Sequence, residues 1–153
     1  MKKIKIITGL LLVLIAFTSA DAQNSRGRFD VKEFHEKKWQ FIVSETKLSP
    51  AETTAVKPVF MNYENNVWEL HKQTRELFLE SKNGNLTEKQ YNDLNSRMIN
   101  LEIKRSQYLR EYHLKLRKLL KPQTLFHYYK AEKSFERQLL QRRGQGSPSG
   151  KRR

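Results

Sequence analysis

The residues best suited to chemistry in this chain are four histidines, His35, His71, His113 and His127. Imidazole is a strong zinc ligand, and three such rings brought together would make a metal site. Each falls on a different predicted helix, so convergence would need a particular packing. The plainer reading is four partly exposed or core-edge side chains, with no metal and no cofactor. Other catalytic material is scarce: the sequence has no cysteine, no Gly-rich phosphate loop and no His-Glu-x-x-His run. No carboxylate pair stands out among the residues expected inside. A nucleophile, its base and an oxyanion site cannot be assembled from this set, and the chain reads as a non-enzyme.

Charge and aromatic surface are what the sequence does supply. Thirty Lys and Arg against 16 Asp and Glu give a formal charge of +14 over 153 residues. Trp39, Phe60, Tyr63, Trp68, Phe78, Tyr108, Tyr112, Phe126, Tyr128 and Tyr129 are more aromatics than a thin helical layer can hide. Most belong in a core. Trp68, Tyr108, Tyr112, Tyr128 and Tyr129 are the candidates for an offered surface, ringed by Arg105, Arg110, Lys115, Arg117, Lys130 and Lys133. Long-range attraction would capture an acidic or unfolded chain there, and apolar contact would hold it loosely. Solvated helix faces are the plainer account of the same charges.

A basic helical chain would ordinarily suggest nucleic acid, but its first 22 residues argue otherwise. Lys2, Lys3 and Lys5 precede an apolar run from Ile6 to Phe17, and small residues end in Ala20-Asp21-Ala22. That order is a secretory signal cleaved near Ala22, with Gln23 as the first mature residue. The run is too short to cross about 30 Å of hydrocarbon comfortably. Export removes nucleic acid as a partner. The absence of cysteine means that no disulfide holds the fold in an oxidising compartment, so packing alone must do it.

Four helices must position these residues. Residues 23–29 read as a disordered linker, 30–141 as one helical domain, and 142–153 as a disordered basic tail without an acid. Asp30 caps the first helix, which runs to about Thr46, and its crowded apolar positions suggest two packing neighbours. The second opens on Leu48-Ser49-Pro50-Ala51-Glu52, a capping box with Pro at the first helical position. Val56, Phe60, Tyr63, Val67, Leu70, Thr74 and Leu77 then form a heptad seam. Pro58 predicts a kink, and Asn83-Gly84 a stop near Lys82. The third opens on Leu86-Thr87-Glu88-Lys89-Gln90 and carries Tyr91, Leu94, Met98, Leu101, Arg105, Tyr108, Tyr112, Leu116 and Leu119 as its seam. Arg105 is its one polar knob, a snorkelling or edge residue. Leu120 closes this helix and Pro122 opens the fourth. The expected fold is all-α, with the two long helices antiparallel in a kinked hairpin.

Leu48-Ser49-Pro50-Ala51-Glu52 resembles the Leu-Thr-x-x-Gln signature of the Spy/CpxP-like periplasmic proteins, and Lys57 to Tyr63 and Lys121-Pro122 through Phe135-Glu136-Arg137 look like a divergent branch of that family. Ser49 and Glu52 stand where the family shows Thr and Gln. Lys121 and Thr124 replace the Thr and Gln of the second copy, and the literal motif falls at Leu86 to Gln90. The resemblance spans Phe34 to Leu140 and points to a divergent envelope-stress or heavy-metal sensor branch. It implies a curved homodimer whose paired hairpins form a concave cradle. The activity it implies is binding of unfolded or misfolded proteins without ATP. A second expectation is an accessory sensor that binds one membrane-bound stress regulator. A third is a structural protein tethered by an uncleaved signal, with peripheral membrane contact through the basic tail.

Overall fold

A computed structural model of the chain describes residues 30–82 and 84–145, with side chains as far as Gln141. Among the described residues there is no strand, and four helices follow in order: α1 (Val31–Thr46), α2 (Pro50–Glu80), α3 (Glu88–Leu119) and α4 (Pro122–Gln145). The signal at 1–22, the linker at 23–29 and the tail from 146 onward lie outside the described residues, as does Asn83. The backbone of α4 runs past the predicted end at Gln141 as far as Gln145.

Local chemistry sets the helix starts. Ser49 Oγ accepts from the Glu52 amide at 3.2 Å while the Glu52 carboxylate accepts from the Ser49 amide at 2.9 Å. Thr87 and Gln90 repeat the arrangement at 3.4 and 2.8 Å. Lys47, Leu48 and Ser49 make up the whole α1–α2 connection. Lys47 has a left-handed backbone with φ 54°, Leu48 is buried and Ser49 caps α2. The α2 helix runs unbroken through Pro58 to Glu80. At its end the Ser81 and Lys82 amides donate to the carbonyls of Leu77 and Leu79.

One end of the molecule holds the core. Trp39 and Ile42 of α1, Val56 and Phe60 of α2, Tyr112 and Leu116 of α3, and Leu125, Tyr128 and Ala131 of α4 pack together with Leu48 and Leu120. Aromatic pairs tie the helices: Trp39 to Phe60 at 5.1 Å, Phe34 and Phe41 to Phe135 at 5.8 and 5.5 Å, and Tyr63 stacked on Tyr112 at 4.2 Å. Away from this end α2 and α3 continue against each other without another described helix. Beyond Glu64 only Leu70 and Leu77 of α2 are buried, and no residue of α3 before Tyr112 is. Arg97 grips the Glu80 carboxylate with two bonds of 2.7 and 2.9 Å. Two seam positions, Tyr91 and Leu119, are exposed rather than mated.

Candidate functional site

Charged groups from three helices meet inside the core beside a pair of phenols. Lys38 Nζ of α1 donates to Glu64 Oε1 of α2 at 2.7 Å, and His35 Nε2 lies 3.9 Å from the other carboxylate oxygen. Tyr112 of α3 and Tyr128 of α4 share a hydrogen bond of 2.6 Å, and Tyr112 also donates to Glu132 Oε1 at 3.1 Å. His35, Lys38, Glu64 and Glu132 are all buried. Loss of water pushes the Glu132 carboxyl up to about 7, with the Glu64 charge adding to the rise and Lys38 opposing it. Burial likewise raises the phenols of Tyr112 and Tyr128 above the ordinary tyrosine range, with the Glu132 charge as the next cause. Tyr63 and Tyr129 are pushed up to about 12, first by burial and then by Glu132. A lone buried charge would cost several kcal/mol, on the order of 3–5 when its partner is removed. Here each has a partner.

The four histidines are not brought together. His35 sits in the charged core, and His113 Nδ1 shares a 2.7 Å bond with the Tyr129 hydroxyl. His127 meets the edge of Phe126. His71 lies on α2, its pKa lowered by partial burial and then by Arg105. Among the described residues no three His, Cys, Asp or Glu side chains are placed to hold a metal ion.

The surface candidates divide three ways. Tyr112 and Tyr128 are core residues, 2% and 0% exposed, and cannot be offered to a client. Their basic sequence neighbours suggested a surface, but those neighbours leave the helix in other directions. Arg105 and Tyr108 lie half-buried on the inner seam; Arg105 pairs with Glu102 at 3.6 Å, and Lys104 Nζ lies 5.9 Å above the Tyr108 ring. Trp68 and Tyr129 are half-buried on α2 and α4. Arg110, Lys115, Arg117, Lys130 and Lys133 are exposed, and Lys133 bridges to Glu136 at 2.8 Å.

Reading only the buried seams missed a second pattern. On α3, Ile99, Ile103, Arg110, Leu114 and Arg117 recur at helical spacing on the side opposite Tyr112. The three aliphatic members are exposed, Ile99 by 60%. Phe78 and Leu79 of α2 and Tyr91 of α3 are exposed as well. Between α2 and α3 an open recess of ≈ 320 Å³ is lined by Gln73, Glu76, Leu77, Arg97, Asn100, Leu101 and Lys104. The α4 helix has an outward row of its own: Phe126, Lys130, Lys133, Arg137 and Leu140 fall at spacings of four, three, four and three, all exposed. The signal was available in the sequence as a second heptad phase on each helix.

No family model, characterised protein or solved structure matches the chain. What defines its class is therefore the fold itself: an all-helical protein with a charged core and mixed basic–apolar outer faces. No helix among the described residues is long and apolar enough to cross a membrane.

Proposed function

We propose that this protein is an exported, ATP-independent chaperone-like protein of the Spy/CpxP type, which holds unfolded or acidic client chains. In this reading α2 and α3 form a kinked antiparallel hairpin, and two copies pair so that their hairpins line a concave surface. The observation that carries it is the outer face of α3, where exposed Ile99, Ile103 and Leu114 share a line with Arg110 and Arg117. Exposed aliphatic side chains on the side of a helix away from its half-buried seam mark a surface for a partner. Arginines on the same line attract an acidic or unfolded chain from a distance, while salt screens that attraction. Client binding is then fast, weak and salt-sensitive.

The test is aggregation of a chemically denatured client with an equimolar amount of the exported form, at low and high salt. Suppression at low salt that weakens at high salt is expected. Ile99→Ser with Ile103→Ser should reduce suppression several-fold without lowering the melting temperature, since both side chains are exposed. No suppression at either salt overturns the reading. Full activity in the double variant moves the client surface elsewhere.

A further inference from the structure

The outward row on α4 is separate from the α3 face, and its composition differs. Lys130, Lys133 and Arg137 occupy the middle, while Phe126 and Leu140 stand at the two ends, 68% and 66% exposed. Five positions at alternating spacings of four and three lie in one line along a helix. From Phe126 to Leu140 the line is roughly 21 Å long. Beside it, between α1 and α4, a recess of ≈ 160 Å³ is lined by Glu45, His127, Lys130, Ala131, Ser134 and Arg137.

We propose that this row docks the protein on an anionic lipid surface. Lys130, Lys133 and Arg137 meet headgroup phosphates, and Phe126 and Leu140 enter the boundary below them. Charge complementarity selects the occupant. A second copy would set the same three cations against one another. An acidic partner helix would need apolar knobs every three or four residues, and here the apolar side chains stand alone at opposite ends. A fluid interface accepts isolated apolar side chains wherever they fall, and a basic helix with Phe and Leu is what binds in its plane. Lys133 keeps Glu136 beside it, and Glu45 shares the recess with Lys130 and Arg137. The α4 row does not depend on client holding by α3, and the two surfaces can fail independently.

The experiment is co-sedimentation of the full chain with phosphatidylcholine vesicles, with and without phosphatidylglycerol. All variants share the same first and last segments, so the differences between variants report on α4. Binding to the anionic vesicles well above the neutral ones is expected. Each basic residue near such a surface is worth roughly fivefold in partitioning. The triple variant Lys130→Glu, Lys133→Glu, Arg137→Glu should therefore lose about 100-fold or more. A charge-matched control, Lys72→Glu, Lys89→Glu, Lys104→Glu, should lose far less. Phe126→Trp, which alters an exposed site conservatively, should shift its emission to the blue on anionic vesicles. Equal binding to both vesicle types, or an equal loss in the control, overturns the proposal. So does Phe126→Trp emission that moves with polyglutamate but not with vesicles, since the occupant is then an acidic polypeptide. Displacement by inorganic phosphate beyond that by chloride of matched ionic strength overturns it too, in favour of a free phosphate site.

Discussion

The two ends of the α2–α3 pair are built to different standards. Near Phe60 and Tyr112, α1 and α4 cover the pair, and side chains from all four helices interlock around paired charges. Toward Glu80 and Arg97 no other described helix covers it. Two buried leucines, Leu70 and Leu77, and a surface ion pair are what hold it among the described residues. Since burial scales with the number of neighbours, the first end carries the global stability and the second can open locally. The exposed Ile99, Ile103, Phe78 and Leu79 belong mainly to the second region. The surface available to a partner is the surface the core did not need.

The sharpest break of that contrast is a pair of core truncations. Phe60→Ala removes a fully buried ring that contacts Trp39 and lies 5.8 Å from Lys38 Nζ, and should cost about 3–5 kcal/mol of global stability. Leu77→Ala should cost about 2 kcal/mol at most and show mainly as faster amide exchange over residues 70–104. A single cooperative loss of similar size in both variants would mean that the two ends are one unit.

Next in size is pH dependence. Glu132 binds its proton more tightly when folded, with a pKa of about 7 against an ordinary 4.5. The stability tied to that proton is fully present below the unfolded value and is lost as pH rises through about 7. The swing is about 3 kcal/mol. His71, whose pKa is lowered, works in the opposite sense in the weakly acidic range, so the informative quantity is a difference. Glu132→Gln mimics the protonated form. Denaturant melts of wild type and variant should match near pH 4, diverge in the variant's favour as pH rises from about 4.5 to about 7, and keep a constant gap above that. Parallel curves would remove Glu132 as the titrating group.

The smallest effect separates the two capping boxes. Ser49→Ala should lower global stability by about 1 kcal/mol, because the start of α2 lies against the core. Thr87→Ala breaks an equivalent box at the uncovered end. It should speed exchange in the first turn of α3 and barely move the melting temperature. Equal shifts in melting temperature would again argue for one unit.

Both caps were readable in the sequence because they depend on residues three apart. The order and starts of the helices were readable for the same reason, and so were the buried positions Val56, Phe60, Leu70 and Leu77. Lys38 with Glu64 was not, since 26 residues separate them and nothing in either neighbourhood marks a buried charge. The crowded apolar pattern of α1 did reflect two neighbours, because Trp39 faces Phe60 and Phe41 faces Phe135. Tyr112 and Tyr128 were misplaced on the surface by their basic neighbours in sequence. On a helix, adjacent residues point about 100° apart, so nearness along the chain says little about a shared face.

The turn after α1 has one residue for each of its tasks. Lys47 reverses the chain at a backbone angle that costs a lysine roughly 1–2 kcal/mol relative to glycine, Leu48 plugs the core, and Ser49 starts α2. No residue is left over, so a single insertion there would displace either the plug or the cap. In the segment from Ser81 to Leu86 no described residue is buried. Length variation among descendants of this chain should collect in that second connection and spare the first.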